Sequence, residues 1–483
     1  MCIGYEPVLT VPNMEFEPIR RSVAHRCEDT MPSTSVCGYT TTRELGKVYK
    51  RRRVGENKTI LTNKFLPNRR KVIKKVDTKL FCVHYLPRQQ QLVVASQDEE
   101  IRFFSRRTNN KFALQKSLRV PYTGWSILDV VMSPDGTRLC YSTWCDAIYM
   151  CLINNVDGLG MVSDEQIEWR SIAVEPDMPD ARMAVFSLRF SFDGREVLCG
   201  GADDRIHVLD IETEQRVLAL RAHEDDVNAV CYSDTNKNLL FSAGDDGLCK
   251  VWDRRALSEM DNHPVGVFAG HRDGVTYIDT RGDDRYLLTN SKDQTIKVWD
   301  IRKFSSAAAI RNTKQSVSKQ QWDYRWQTMP ANARVLKPLE GDTSVATLRG
   351  HSVLHTLVRA RWSPERTGHR YIYTGCARGD VIVFDTLTQT VVNRYQGHSS
   401  VVRDCIWSSD TNEIFTSSWD GNLAMWYWDE RCDHATCPEG GKQGAEDTSD
   451  ENYQPLQKDG VKRLKKRRLR DRMARNDDVD FEI

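Results

Sequence analysis

Three times this chain sets a histidine, a hydroxyl residue and an aspartate in the composition of an acyl-transfer triad. The sets are His223 with Ser242 and Asp246, His271 with Thr289 and Asp293, and His398 with Thr416 and Asp420. A nucleophilic hydroxyl needs a base within hydrogen-bond reach and a carboxylate that orients the base. It also needs donors aimed at the developing oxyanion, and no such site accompanies these sets. Each set is followed by a tryptophan, at Trp252, Trp299 and Trp426. A pattern that repeats this way holds structure together better than it catalyses. Cys432, His434 and Cys437 offer three zinc ligands, but a structural site wants a fourth at motif spacing, and a loose tail is the better reading. No phosphate loop, HExxH or GxSxG occurs. The expectation is a protein without catalytic residues, metal or cofactor.

Composition narrows the class. Lysine and arginine number 69 against 67 acidic residues, a net charge of +2, so nothing pulls the whole chain toward nucleic acid or an acidic membrane. No apolar run reaches the ~18 residues of a membrane span. The N-terminus MCIGYEPVLTVPNMEFEP lacks the basic start and apolar centre of a secretory signal. Fourteen cysteines are present, without a C-x-x-C pair. Cys82, Cys199, Cys231 and Cys405 sit inside apolar runs and read as small buried hydrophobes in a reducing compartment.

The elements that position the triads are repeats. Residues 222–255, 270–303 and 397–431 each open on Ala-His or Gly-His. Each continues through a short alternating run, an Asp/Asn-rich turn, a second apolar run, a tight turn with Asp, and a third run ending in Trp. His223 and His271 lie 48 residues apart, His351 and His398 47. Weaker copies occupy 79–105, 124–153, 184–213 and 350–388, for seven in all. This period and signature resemble WD40 repeats, four strands per propeller blade. The resemblance implies an all-β, seven-bladed WD40 propeller over residues 58–431. The strand Lys71–Val76 is expected to become the outer strand of blade seven and remove the open sheet edges. It further implies a buried chain of His, Ser or Thr, Asp and Trp in blades four, five and seven. Such a chain satisfies an aspartate that would otherwise be costly to bury. Blade six has Arg378 where Asp is expected, so packing should hold it more than that network does.

Residues 1–57 lack periodicity and read as a mostly disordered extension, in which TTRELGKVYKRRR suits a short basic helix. Residues 304–344 interrupt blade five between its third and fourth strands. Within them Trp322, Tyr324 and Trp326 alternate, which suits a strand-like clip packed on the propeller; the alternative is aromatics displayed to a partner. A second long connection, 154–183, follows blade two. The charged tail, 432–483, carries KRLKKRRLRDRMARN. Lys465, Lys466, Arg467 and Arg468 form a nuclear import candidate, placing the protein in nucleus and cytoplasm. Without interleaved aromatics, direct nucleic-acid binding is not expected.

Propellers serve many functions, so function must come from particular residues. Blades four and five end in Trp252-Asp253-Arg254-Arg255 and Trp299-Asp300-Ile301-Arg302. At this composition a basic residue two places after Asp arises about once in seven, and a pair about once in fifty. A third literal match, Trp428-Asp429-Glu430-Arg431, lies two residues past the normal position and is not counted. The doubled motif resembles the WDxR signature of propellers that dock on the adaptor of cullin-4 ubiquitin ligases. ILTNKFLPN (60–68), VPYTGWSILDVVMSPDG (120–136), ADDRIHVLDIET (202–213), HEDDVNAVCYSD (223–234) and WDYRWQ (322–327) are similar to the WD repeat-containing protein 23 family, related to the plant LEC14B-type proteins. The likeness covers roughly residues 58–431. It implies a substrate receptor that holds targets for ubiquitination and proteasomal degradation, among them, in some members, stress-response transcription factors. The implied adaptor-binding residues are Asp253, Arg255, Asp300 and Arg302. The blade-five insertion leaves the same rim, so Trp322 and Trp326 are expected to border that contact. Two rivals are a nuclear RNA-processing or chromatin scaffold, and a propeller enzyme. The enzyme would need inward carboxylates or histidines at equivalent strand starts, and none is evident in the sequence.

Overall fold

A computed structural model describes residues 65–429 except 109, 154–166, 175–182, 258–261, 331–332 and 334. The readings placed on residues 1–57, on Cys432, His434 and Cys437, and on Lys465 to Arg468 lie outside the described residues.

Among the described residues the alternating runs become 28 strands in seven antiparallel four-stranded sheets, each a blade. The innermost strands are Leu80–Leu86, Asp129–Met132, Val185–Phe190, Val227–Tyr232, Val275–Thr280, Ala360–Trp362 and Val402–Trp407. They are mostly buried, because the axis lies on one side and a neighbouring blade on the other. The outer strands show more exposure, as in Thr390–Gln396 of blade six. The core therefore lies between blades. Phe241 and Val251 of blade four pack with Ile278, Leu287 and Trp299 of blade five.

Closure comes from the chain's first described strand. Arg69–Lys75 pairs antiparallel with Asn422–Tyr427, Arg70 opposite Trp426 and Lys71 opposite Met425, making it the outer strand of blade seven. The Val76 amide then donates to Gly421 O at 2.9 Å. Gly421 sits at φ +76°, and a Cβ there would collide with the Val76 carbonyl, so the join needs glycine.

The insertion departs from expectation. Residues 307–318 form an α-helix, and the strand-like clip expected at Trp322, Tyr324 and Trp326 is not formed. Ser306 caps it by accepting from the Ala309 amide, and three successive alanines favour it. Trp322 to Trp326 form a turn closed by the Trp326 amide on Asp323 O. The insertion also leaves one rim, reaches the other, and returns to the fourth strand, where Ala346 pairs with Val298. The Ser305 amide donates to Val267 O on the outer strand of blade four, carrying the chain along the blade edge. The helix then presses on the turn between the second and third strands of blade four. A Cβ at Gly247, where φ is +75°, would stand 2.6 Å from Val317 Cγ2. The residues expected as a long connection after blade two include that blade's own outer strand, Arg170–Ala173.

Along the axis lies a group the sequence reading missed. Inward carboxylates do exist: Asp129, Asp279 and Asp404 on the inner strands of blades two, five and seven, with His84 on blade one. Arginines accompany them. Arg359 of blade six donates to Asp404 at 3.1 Å and, across the axis, to Asp129 of blade two at 2.6 Å. Arg361 donates to Asp404 at 2.9 Å. Arg403 reaches the carbonyls of Phe81 and Leu128, both at 2.8 Å. Burial pushes the Asp404 carboxyl up, but Arg361 and Arg359 outweigh it and hold the group below the usual range. The arginines occupy the oxygens of Asp129 and Asp404, while Asp279 accepts from the Trp362 amide of blade six at 2.8 Å, so these acids tie blades together.

Candidate functional site

The triad-like sets assemble, and their geometry shows why they do no chemistry. His223 Nδ1 lies 3.0 Å from Asp246 and Nε2 2.7 Å from Ser242 Oγ, which also accepts from Trp252 Nε1 at 2.9 Å. In blade five, His271 Nδ1 is 3.0 Å from Asp293 and Nε2 2.6 Å from Thr289, which accepts from Trp299 Nε1 at 2.8 Å. In blade seven, His398 bridges Asp420 at 3.0 Å and Thr416 at 2.8 Å, and Trp426 donates to Thr416 at 3.1 Å. The order hydroxyl, imidazole, carboxylate is that of a hydrolytic triad. Here the hydroxyl is fully buried and its oxygen is already bound by an indole N–H, so no substrate carbonyl can reach it. Burial acts to raise Asp420, and hydrogen bonds from Asn422, His398 and the Ser399 amide outweigh it, leaving its pKa at about 2. Blade three uses a variant the repeat pattern did not announce, His207 Nε2 against Asp203 at 2.6 Å. Blade six has no such chain. Phe384 is fully buried there, and His351 turns instead to Asn290 of blade five at 2.8 Å.

The exposed candidate is the rim carrying Arg255 and Arg302. Each follows a third strand, Cys249–Asp253 and Thr295–Asp300, so both lie at the same end of adjacent blades. Asp253 Oδ1 accepts from the Arg255 amide and from its Nε, both at 3.0 Å, and Oδ2 accepts from Nη2 at 2.7 Å. Asp300 repeats this with Arg302 at 3.0, 3.0 and 2.8 Å. The two arginine side chains are 66% and 64% exposed, which leaves each Nη1 edge free for a partner. The bond from Arg255 holds the Asp253 carboxyl below the usual range. At Asp300 partial burial acts upward, and Arg302 outweighs it.

The turn itself needs no arginine. Asp210 of blade three and Asp385 of blade six accept the amide two residues on at 2.8 Å, yet those residues are Glu212 and Leu387. The aspartate therefore makes the turn, and the arginine is an addition confined to blades four and five. One copy of the same fork was overlooked in sequence. Trp322-Asp323-Tyr324-Arg325 has Arg325 Nη2 on Asp323 Oδ2 at 2.9 Å and its amide on Oδ1 at 2.9 Å. It does not share the rim. Tyr324 O accepts from the His355 amide at 2.8 Å, and Lys292 Nζ stands 4.3 Å over its ring, both at the opposite strand ends. Trp322 and Trp326 therefore do not border Arg255 and Arg302. Trp428-Asp429, the match set aside, is engaged elsewhere, with Asn68 donating to Asp429 O at 2.9 Å.

Seven four-stranded blades with buried His–hydroxyl–Trp chains define a WD40 β-propeller. The WD domain, G-beta repeat family model matches residues 214–253, 262–300 and 389–427. Over 452 residues the chain is 45% identical to the DDB1- and CUL4-associated factor 11 homolog of Caenorhabditis elegans, covering 91% of this chain and 77% of that protein. The Caenorhabditis briggsae homolog is 44% identical over 91% of this chain and 80% of its own length. The LEC14B protein of Lithospermum erythrorhizon is 36% identical over 74% of each. The chain belongs to the family of DDB1- and CUL4-associated factor 11 homologs.

Proposed function

We propose that this chain is a substrate receptor of a cullin-4 RING ubiquitin ligase, docking on the ligase adaptor through the rim of Arg255 and Arg302. The observation that carries this reading is the doubled Asp–Arg fork, exposed on adjacent blades where the turn alone requires only aspartate. The names of the two nematode relatives, which refer to DDB1 and CUL4, support it. An arginine pinned on one edge by its own aspartate loses little freedom when the other edge meets a carboxylate or carbonyl. The receptor's contribution is proximity: it raises the effective concentration of target lysines near a charged conjugating enzyme and performs no bond chemistry itself.

The test is Arg255→Ala with Arg302→Ala. Adaptor pull-down should weaken on the order of thirty-fold or more while circular dichroism stays unchanged. Capture of the adaptor at wild-type affinity would overturn the reading and favour the scaffold alternative.

Shuttling between nucleus and cytoplasm belongs to the same proposal, through Lys465, Lys466, Arg467 and Arg468. Replacing all four with alanine should lower the nuclear fraction of a fluorescently tagged chain. An unchanged fraction rules that segment out.

A further inference from the structure

The rim opposite Arg255 and Arg302 carries an unbroken run of aromatic rings. Trp419, in the tight turn of blade seven, lies 5.9 Å from Phe81 at the start of blade one. Phe81 lies 6.3 Å from Trp125 in the loop entering blade two, and Trp125 lies 6.1 Å from Trp144 in that blade's tight turn. Trp144 lies 5.9 Å from Phe186 of blade three. Trp125 is 57% exposed and Trp144 38%, whereas Phe81 is buried beneath them. Large apolar groups left in water side by side mark an interaction surface.

One end of the run is cationic. Lys79 Nζ stands 4.7 Å over the Trp419 ring. Trp419 and Ala377 both pack on the cluster of Val353, Val358 and Val401, and Arg378, next to Ala377, is exposed. Neither cation enters an ion pair among the described residues. Two cations without carboxylate partners, beside exposed rings, call for carboxylates next to apolar side chains.

Single-stranded nucleic acid fits less well. Neighbouring rings meet at 50° to 85°, not in parallel, so they offer no continuous stacking platform. Asp146, two residues from Trp144, and Glu99, which accepts from Thr123 at 3.2 Å, border the run and would repel phosphates.

We propose that this rim is the target-docking face. It takes an extended protein segment whose apolar side chains lie on Trp125 and Trp144 and whose carboxylate pairs with Lys79 and Arg378. This rests on the receptor reading above and names the target's chemistry.

The experiment pans a phage-displayed library of random dodecapeptides on the full chain, then measures the selected peptides, synthesised and fluorescein-labelled, by anisotropy. Selected sequences should combine large apolar residues with Asp or Glu to one side. Trp125→Ala with Trp144→Ala should weaken them about tenfold or more. Lys79→Glu with Arg378→Glu should reject them and favour counterparts with Lys in place of the acid. All these positions are at least partly exposed, and unchanged circular dichroism confirms folding. The proposal is overturned if nothing enriches, if the variants bind selected peptides unchanged, or if labelled oligo(dT) binds more tightly and depends on the tryptophans. Adaptor pull-down should be unaffected by all four substitutions, and its loss would assign the rim to the adaptor instead. Should the wild-type chain fail to hold the adaptor, the receptor reading falls while the peptide result still stands.

Discussion

Trp299→Ala is expected to cost about 3–5 kcal/mol, the range for truncating a buried tryptophan. The ring is 1% exposed, stacks on Phe268 at 5.4 Å between centroids, and donates to Thr289 at 2.8 Å. Its loss opens a cavity between blades four and five and removes one of the two partners of the Thr289 hydroxyl. At about 2.1 cal/mol/K per residue of unfolding entropy, a ring of this length should melt about 4–6 °C lower. Trp299→Phe separates the two effects, since it fills most of the space without an N–H. It should lose about 1 kcal/mol for the hydrogen bond plus a smaller packing term. A melting point within a degree of wild type for Trp299→Ala would remove the indole from the stabilising chain.

Asp404→Ala is expected to be as damaging, for an electrostatic reason. Asp404 is fully buried and accepts from Arg359, Arg361 and the Val83 amide of blade one. Its removal strands Arg361 without a carboxylate and leaves Arg359 with Asp129 alone. Breaking a buried pair from one side typically costs about 3–5 kcal/mol, because the remaining charge stays out of water. Asp404→Leu combined with Arg361→Met should recover much of that loss, since apolar replacements of a whole pair are often tolerated. Thermal melts of the single and double variants give the coupling. If the double variant is no more stable than Asp404→Ala, the charges at the axis are not coupled through this pair.

The contrast between these two sites shows what the sequence could disclose. Trp299, His271, Thr289 and Asp293 fall within one repeat, and the repeat returns with a fixed period, so self-similarity alone points to them. Asp129 and Arg359 meet across 230 positions of chain, on blades that are not neighbours. No period relates them, and only closing the ring brings them together. The helix Ala307–Ser318 had a local signal in Ser306 and the alanines behind it. The alternation of Trp322, Tyr324 and Trp326 suggested a strand instead, but that segment closed as a turn, with the Trp326 amide on Asp323 O. The aromatic rim was equally hidden, because its rings come from four blades, and single aromatics in loops carry no pattern.

Closure by Arg69–Lys75 has a consequence in time. The partner strand, Asn422–Tyr427, is made about 350 residues later. At roughly 5–20 residues per second the first strand waits on the order of 20–70 s on the ribosome before it can pair. Through that interval the nascent chain presents two unpaired sheet edges, its own beginning and its growing end. A chain stopped by premature termination before Asn422 would keep both edges for its lifetime. Such products should therefore accumulate with chaperones or in aggregates, and not as smaller, soluble propellers.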